Sequence, residues 1–173
     1  MKKIILSAIV IIAVCLSASA QTENKFSFSV GPELGFATGT FSQTHSVGIG
    51  GTAQAEYYIM DKLKGTATIG LLAYLGKSYN SSATNAAQTI IPIRVGAKYF
   101  LTGGFYGGAQ LGIAILGNWA PNKGGAFAYS PLMLGYEFKT KSNKSVDATI
   151  KYDGYSSAYG TIGAFGARLA YVF

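Results

Sequence analysis

Charged residues are scarce in this 173-residue chain. Asp, Glu, Lys and Arg make up 12% of it, whereas typical soluble domains contain about 25%. A soluble domain covers its surface with charge of both signs, and this chain has too little charge to do so. Its formal net charge of +7 is not gathered into a basic patch interleaved with aromatic residues, so a nucleic-acid partner is not indicated.

Cysteine is almost absent, because Cys15 is the only one. It lies in an N-terminal segment that opens with two lysines, continues as an apolar run and ends in Ala18-Ser19-Ala20. That pattern is typical of a secretory signal peptide. We therefore predict a cleaved signal peptide over residues 1–20 and a mature domain over residues 21–173, which has no cysteine and hence no disulfide.

Two membrane attachments other than strands are disfavoured. A lipoprotein would make Cys15 its first mature residue, but Val14 is a poor fit to the small residue expected before a lipidated cysteine. Beyond residue 20, no apolar run approaches the roughly 20 residues that a membrane helix needs. If the mature domain crosses a membrane, the sequence indicates that it does so with β-strands.

Glycine and aromatic residues are abundant instead, with 23 Gly, 12 Tyr and 10 Phe in the chain. The stretch Phe26–Phe36 reads FSFSVGPELGF, with apolar residues on one parity and Ser, Gly and Glu33 on the other. A period of two indicates a β-strand with two unlike faces. Because the alternation recurs seven more times, the sequence predicts eight strands of about 10 to 13 residues, long enough to cross a bilayer.

The charges are confined to one face of these strands. The apolar parity carries no Asp, Glu, Lys or Arg, whereas the other parity carries five acids and five bases. These are Glu33, Glu56, Glu137, Asp147 and Asp153, with Lys64, Arg94, Lys98, Lys151 and Arg168. A soluble barrel would turn its apolar face inward. The low total charge favours the inverse arrangement, with lipid outside and the ions in the lumen.

We therefore predict an all-β fold, an eight-stranded antiparallel up-and-down transmembrane β-barrel. The interior of such a barrel is just wide enough for side chains to fill it. Unpaired buried charge is strongly destabilising, so the ten charged residues are expected to form a salt-bridged network that plugs the lumen. Which acid meets which base depends on the strand shear and is not predicted.

The connections and aromatic residues lead to further expectations. Short turns near Asp61, Gly103 and Ser142 alternate with longer loops near Gln43, Ser81, Asn122 and Ser156, as in transmembrane barrels. Aromatic girdles are expected at strand ends from Tyr57, Tyr58, Tyr99, Phe105, Tyr136, Phe138, Tyr152 and Tyr171. Tyr79, Trp119, Tyr155 and Tyr159 are assigned to loops, either near the outer headgroups or as a binding surface.

Two assignments within strands are specific enough to test. Pro92 falls on the inward parity in the middle of a strand, where its missing N–H is awkward, and we expect a β-bulge there. Tyr129, Met133 and Glu137 are assigned together to the inward parity of one strand.

The last residues, RLAYVF, place Leu169, Tyr171 and Phe173 on the lipid-facing parity. This ending resembles the C-terminal recognition signal of bacterial outer-membrane barrels, in which alternate apolar and aromatic residues end in Phe. The resemblance implies insertion by the barrel-assembly machinery and a location in the outer-membrane lipid of a Gram-negative cell, with both termini in the periplasm.

Two further stretches resemble one family. IIPIRVGAKYFL (Ile90–Leu101) is similar to a strand of the outer-membrane β-barrel domain common in Bacteroidota secreted proteins, and FYGGAQLGIAI (Phe105–Ile115) is similar to the Gly-rich strand that follows it. The family is related to the OmpX and OmpA-barrel type. It implies an integral outer-membrane barrel without a shared catalytic residue set or cofactor.

The remaining candidate chemistry centres on His45, the only histidine. A lipid-modifying enzyme would need a hydroxyl beside it, but in a strand Thr44 and Ser46 would point to the opposite side. Metal binding needs several ligands together, and the loops offer only His45 and Asp153. The leading hypothesis is a monomeric, non-enzymatic barrel that acts structurally or through its loops on an unknown ligand. A small porin-like solute channel is the alternative, and a lipid-modifying enzyme is third.

Overall fold

The computed structural model describes residues 25–80, 83–118, 123–140 and 144–173. The expected signal peptide, with Cys15, lies outside these residues. The described segments contain one short helix, α1 (Phe41–Thr44), and ten strands. The strands are β1 (Phe26–Thr38), β2 (His45–Met60), β3 (Leu63–Gly76), β4 (Ser78–Asn80), β5 (Ala83–Thr84), β6 (Gln88–Thr102), β7 (Phe105–Asn118), β8 (Lys123–Lys139), β9 (Ser145–Ser157) and β10 (Gly160–Val172).

Eight of these strands close into an antiparallel barrel in the order β1-β10-β9-β8-β7-β6-β3-β2, so every strand pairs with its neighbours along the chain. Closure is made by β1 and β10, where Glu33 lies opposite Arg168 and Phe36 opposite Phe165. The small strands β4 and β5 pair only with each other, within the connection from β3 to β6. The eight-stranded up-and-down barrel predicted from the alternation is confirmed.

The two ends of the barrel differ. At one end, called here the turn end, lie Phe26, Phe173 and the connections after β2, β6 and β8; the first two of these are two-residue turns. Gly103, in the turn after β6, has φ +57°, a left-handed conformation that glycine adopts without a steric penalty. At the opposite loop end lie α1, the β4–β5 hairpin and the connections after β7 and β9.

The outer surface of the barrel is apolar around its middle. Ile69, Val95 and Leu111 expose 52%, 57% and 57% of their surface, and each lies on the parity predicted to face outward. Inward-facing residues are buried by contrast, including all ten of the charged residues predicted for the lumen. The distribution is therefore inverted relative to a soluble barrel, as the low charge content indicated.

The interior changes character along the barrel axis. Near the loop end it is filled by a cluster of buried apolar and aromatic side chains: Phe41, Leu72, Tyr74, Ile90, Ala114, Ala126, Ala128, Tyr155 and Ala164. Helix α1 contributes Phe41, whose ring packs edge-on against Tyr74 at 5.0 Å between centroids. Below this cluster most inward positions are polar or charged, although Tyr106, Met133, Ala170 and Val172 are also buried there.

A register shift in β8 corrects one assignment. The β8–β9 pairing is irregular between Tyr129 and Leu132, and both Pro131 and Leu132 are exposed. Because one extra residue reverses the facing of everything before it, Ser130 is buried inside and Tyr129 lies outside. The prediction that Tyr129 shares the inward face of Met133 and Glu137 is wrong.

The bulge expected at Pro92 is absent from the described pairings. Pro92 pairs with Ala114 of β7, and the β3–β6 register is unchanged on either side of it. Gly70 lies across from the proline, and a Cβ there would come within 3.3 Å of the ring. A glycine opposite the proline thus provides the room that we expected a bulge to provide, and the bulge occurs beside Pro131 instead.

The connections after β7 and β9 are shorter than expected. β9 continues to Ser157 and β10 begins at Gly160, so the loop predicted near Ser156 is a two-residue turn of Ala158 and Tyr159. Similarly, β8 already begins at Lys123, which the sequence assigned to a loop. The barrel strands are therefore 13 to 17 residues long, longer than predicted, because hydrogen-bonded hairpins extend into the polar segments.

Candidate functional site

Six of the ten buried charges form a chain of alternating sign near the turn end. The chain runs Glu137–Lys64–Glu56–Lys98–Asp147–Arg168. Lys64 Nζ lies 2.9 Å from Glu137 Oε2 and 3.0 Å from Glu56 Oε2. Lys98 Nζ lies 2.7 Å from both Glu56 Oε1 and Asp147 Oδ2, and Arg168 Nη1 lies 3.8 Å from Asp147 Oδ1. Three cations and three anions leave the chain neutral.

The other four charges form a second chain nearer the loop end, Arg94–Asp153–Lys151–Glu33. Arg94 Nη1 donates to Asp153 Oδ1 at 2.6 Å. Lys151 Nζ lies 3.5 Å from Asp153 Oδ2 and 2.8 Å from Glu33 Oε1. This chain is neutral as well. Each group of buried ions therefore balances its own charge, which avoids an uncompensated ion in a poorly solvated interior.

Uncharged side chains complete the hydrogen bonding of the first chain. The Tyr106 hydroxyl lies 2.9 Å from both carboxylate oxygens of Asp147, and Thr149 also donates to that carboxylate. The Tyr106 ring lies across Gly135 of the neighbouring strand, in the space that the Cβ of any other residue at position 135 would occupy. Glycine at position 135 thus lets the tyrosine reach Asp147 two strands away.

A layer of uncharged, hydrogen-bonded side chains lies beside the first ion chain, on the side toward the loop end. Gln110 Nε2 donates to Thr66 Oγ1 at 3.1 Å, to Thr68 Oγ1 at 2.9 Å and to Gln54 Oε1 at 3.2 Å. Gln54 in turn donates from Nε2 to Glu56 Oε1 at 2.7 Å. These amides and hydroxyls connect three strands, β2, β3 and β7, across the interior and fill it with polar contacts.

All ten residues predicted for the lumen charge network thus belong to one of the two chains, and none of them points outward. The sequence signal was the parity of each charge within its strand. The partners were not predictable: Lys64 and Glu137 are 73 residues apart. The supporting residues Tyr106, Gln54, Gln110 and Ser130 were not identified as part of the network from sequence, although their inward parity was a usable signal for the first three.

Tyr155 is also placed differently from the prediction. It was assigned to a loop, but it is 1% exposed and its hydroxyl accepts a hydrogen bond from Arg94 Nη2 at 3.0 Å. Because β9 extends to Ser157, Tyr155 lies on the inward parity of a strand and joins the apolar cluster to the second ion chain. Trp119, assigned to the same group, lies outside the described residues.

A cavity of about 1080 Å³ opens at the loop end, above the apolar cluster. Phe41, Leu116, Tyr155 and Ile162 form its apolar part. Hydroxyl, amide and imidazole groups line the rest: Thr40, Thr44, His45, Gln88, Ser157, Tyr159 and Thr161.

A smaller cavity of about 430 Å³ opens at the turn end, and none of its lining residues lines the loop-end cavity. It is lined by residues that include Tyr58, Lys64, Phe100 and Glu137. Tyr58 therefore lies at the mouth of the lumen rather than in a lipid-facing girdle.

The ring of His45 is held at both nitrogens. Nδ1 lies 2.8 Å from Thr44 Oγ1, and Nε2 lies 3.2 Å from the Ala86 carbonyl. Since a carbonyl only accepts, Nε2 carries a proton. In the neutral imidazole Nδ1 is then the acceptor, and the single Thr44 hydroxyl proton is shared between Nδ1 and the Phe41 carbonyl at 3.3 Å. The opposite facing expected of Thr44 in a strand does not apply, because Thr44 ends α1 rather than extending β2. Ser46 instead lies 3.4 Å from the Leu75 carbonyl.

The residues of the C-terminal signal lie on the outer surface, where Leu169, Tyr171 and Phe173 are all exposed. Tyr171 and Phe173 pack edge-to-face at 5.1 Å, and the Phe173 amide donates to the Phe28 carbonyl at 2.8 Å. The ending therefore presents an aromatic pair at the seam between β10 and β1.

The described residues contain neither a metal-binding cluster nor a membrane-spanning helix. No group of three or more His, Cys, Asp or Glu side chains is arranged to hold a metal ion within the described segments. No described helix is long and apolar enough to span a membrane.

Comparison with known proteins shows a shared fold without a close relative in sequence. No protein-family model matches the chain, and no curated protein is significantly similar to it. The crystal structure of Ail, the attachment invasion locus protein of Yersinia pestis, is 13% identical with a TM-score of 0.57, over 88% of this chain and 100% of Ail.

Neisserial surface protein A (NspA) is 15% identical with a TM-score of 0.62, over 86% of this chain and 95% of NspA. The backbone structure of the outer membrane protein Ail in a phospholipid bilayer nanodisc is 14% identical, with a TM-score of 0.58 over 87% and 100% of the two chains. At these identities the likeness establishes the fold alone: the chain is built like these small eight-stranded barrels.

Proposed function

We propose that the chain is an integral outer-membrane β-barrel protein whose lumen is closed by ion pairs and whose role is structural or surface-interactive rather than catalytic. The observation that carries the proposal is the inverted distribution of polarity. The band of exposed Ile, Leu and Val is matched by ten charged residues buried in the interior. Exposing the apolar band to water would be unfavourable. Exposing the charged residues to hydrocarbon would be unfavourable as well.

Barrel closure supports the same conclusion, because it pairs the backbone of every barrel strand on both sides. Unpaired backbone groups in hydrocarbon cost several kcal/mol each. The similar structures of Ail and NspA come from outer-membrane and surface proteins, which is consistent with this setting. The proposed orientation has the turn end and both termini in the periplasm and the loop end outside the cell.

Insertion is proposed to depend on the C-terminal ending. Leu169, Tyr171 and Phe173 would present their exposed side chains to the barrel-assembly machinery before the β1–β10 seam closes. The segment 1–20 would direct secretion and be removed. The protein is proposed to act as a monomer, since the barrel is closed without a second chain.

Site-directed spin labelling tests the setting directly, because residues 21–173 contain no cysteine. We would compare Ile69→Cys, in the middle of the outer surface, with Thr84→Cys, exposed in the β5 hairpin. In liposomes, the Ile69 label should collide with oxygen dissolved in lipid and be shielded from a water-soluble nickel complex. The Thr84 label should show the reverse.

Equal access of the nickel complex to both labels would overturn the proposal. Fractionation of the native cells provides a second arm, since the protein should co-purify with outer membranes and shift in gel mobility on heating. A protein that stays soluble and folded without detergent would also contradict it.

A further inference from the structure

The loop-end cavity has an enclosed apolar floor. Phe41 and Tyr155 are 4% and 1% exposed, and Leu116 and Ile162 pack against the same buried cluster. The Phe41 ring is fixed between Tyr74 and His45, at 5.0 Å and 4.7 Å between centroids. Phe41 and Tyr155 therefore form a rigid base that separates the cavity from the ion chains below, and the partly buried Leu116 and Ile162 provide the carbon surface that a ligand can reach.

The walls of the cavity are polar but uncharged. Thr40, Ser157 and Thr161 provide hydroxyl groups and Gln88 provides an amide. Among the described residues that line it, none is Asp, Glu, Lys or Arg. A charged ligand would lose its hydration here without gaining an opposite charge, so the described lining favours a neutral ligand with several hydrogen-bonding groups.

The rim carries an aromatic ring that is exposed within the described part of the chain. Tyr159, in the two-residue turn between β9 and β10, is 98% exposed. Its turn is held by Ser157, which bonds the Gly160 carbonyl at 3.2 Å and the Tyr159 amide at 3.2 Å. A tyrosine presented in this way supplies an amphipathic contact surface at small entropic cost.

We propose that this cavity binds a neutral saccharide. Sugar rings have apolar C–H faces that pack on aromatic rings, and their hydroxyl rims exchange hydrogen bonds with hydroxyl and amide side chains. The exposed ring of Tyr159 and the carbon surface of Leu116 and Ile162 suit the apolar faces, and the hydroxyl and amide groups of the walls suit the hydroxyl rims. The inference rests on the proposed function in one respect, since it needs the loop end to face the cell exterior.

The test uses the folded barrel in detergent micelles and saturation-transfer difference NMR with maltotriose, cellotriose and chitotriose as probes. Glucose 6-phosphate serves as the charged comparison. At least one trisaccharide should receive saturation from the protein and glucose 6-phosphate should receive much less. Tyr159→Ala should weaken binding about tenfold, the effect typical of losing an aromatic anchor, whereas Tyr99→Ala on the outer surface should leave it unchanged.

A second pair of variants compares a leucine that fills the cavity with a leucine placed outside it. A Cβ at either Gly124 or Gly117 would meet nothing within 4 Å, but only Gly124 lines the cavity. Gly124→Leu should therefore abolish saturation transfer and Gly117→Leu should preserve it, with heat-modifiable mobility confirming that both variants fold.

The inference is overturned if no trisaccharide is saturated, if glucose 6-phosphate is preferred, or if Gly124→Leu binds as well as the unaltered protein. Any of these results together with a lipid-exposed label at Ile69 would refute saccharide binding and leave the proposed membrane setting intact. A water-exposed Ile69 label would refute the setting itself.

Discussion

Removal of the Lys98 charge is the sharpest test of the ion-paired interior. The Lys98 side chain is 1% exposed, and its Nζ lies 2.7 Å from one oxygen each of Glu56 and Asp147. At an effective dielectric constant of about 20, each contact represents a gross attraction of about 6 kcal/mol. Most of that attraction is offset by the desolvation of the ions, but Lys98→Met would leave a chain with two cations and three anions.

Losing one partner of a buried ion pair costs about 3 to 5 kcal/mol, because the remaining charge is left uncompensated. We expect Lys98→Met to lower the free energy of unfolding by that amount. Lys62→Met, at an exposed turn position, should change it by less than about 0.5 kcal/mol. The assay is reversible urea unfolding in micelles, with the folded fraction read from heat-modifiable gel mobility.

A second substitution separates charge balance from packing. Asp147→Asn in the Lys98→Met background removes one anion and makes the chain neutral again. The double variant should recover at least about 1 kcal/mol relative to Lys98→Met, as coupling between contacting charges predicts. If Lys98→Met loses less than about 1 kcal/mol, or the second substitution adds to the loss, water solvates these charges and the plugged-lumen argument fails.

Three further outcomes are expected. Gly135→Ala should cost about 1 to 3 kcal/mol in the same urea assay, because its Cβ would overlap the Tyr106 ring. Gly51→Ala, whose Cβ would approach no atom closer than 3.6 Å, should be near neutral, and equal losses would refute the steric explanation. Val95→Arg on the outer surface should cost roughly 2 to 4 kcal/mol in lipid, and Thr68→Val should cost less, about 1 kcal/mol for its lost hydrogen bonds in the lumen; the reverse order would refute the inverted barrel. The protein should be silent in planar-bilayer conductance measurements, and single-channel steps would favour the porin-like alternative.

Much of the architecture was predictable because it depends on a short-range pattern. Strand alternation has a period of two whatever the rest of the chain does, so it assigned Ile69, Val95 and Leu111 to one face and Arg94 and Lys98 to the other. The closed barrel follows from the number of such strands and from their need for paired edges.

The predicted side-chain directions were wrong where a bulge or a change of strand boundary altered which side of the sheet a segment faces. The bulge beside Pro131 turned the Tyr129 side chain from the predicted inward direction to the outside. No local signal distinguished Pro131 from Pro92, which fits opposite Gly70 without a bulge. Strand extension similarly moved Tyr155 from a loop into the interior. Helix α1 brought Thr44 to the His45 ring, a contact that a continuous strand would forbid.

The sequence by itself determined that the ten charged strand residues face inward and the apolar band faces outward, because alternation is a local property of each regular strand. The facing of Tyr129, which lies beyond a bulge, was decided only by the tertiary structure. Only the tertiary structure decided which ions meet, since pairing across a barrel depends on the shear between strands. Glu56 lies between Lys64 and Lys98 because three different strands bring them to one height. The loop-end cavity likewise arises only when α1, β9 and β10 meet around a floor that the rest of the barrel fills.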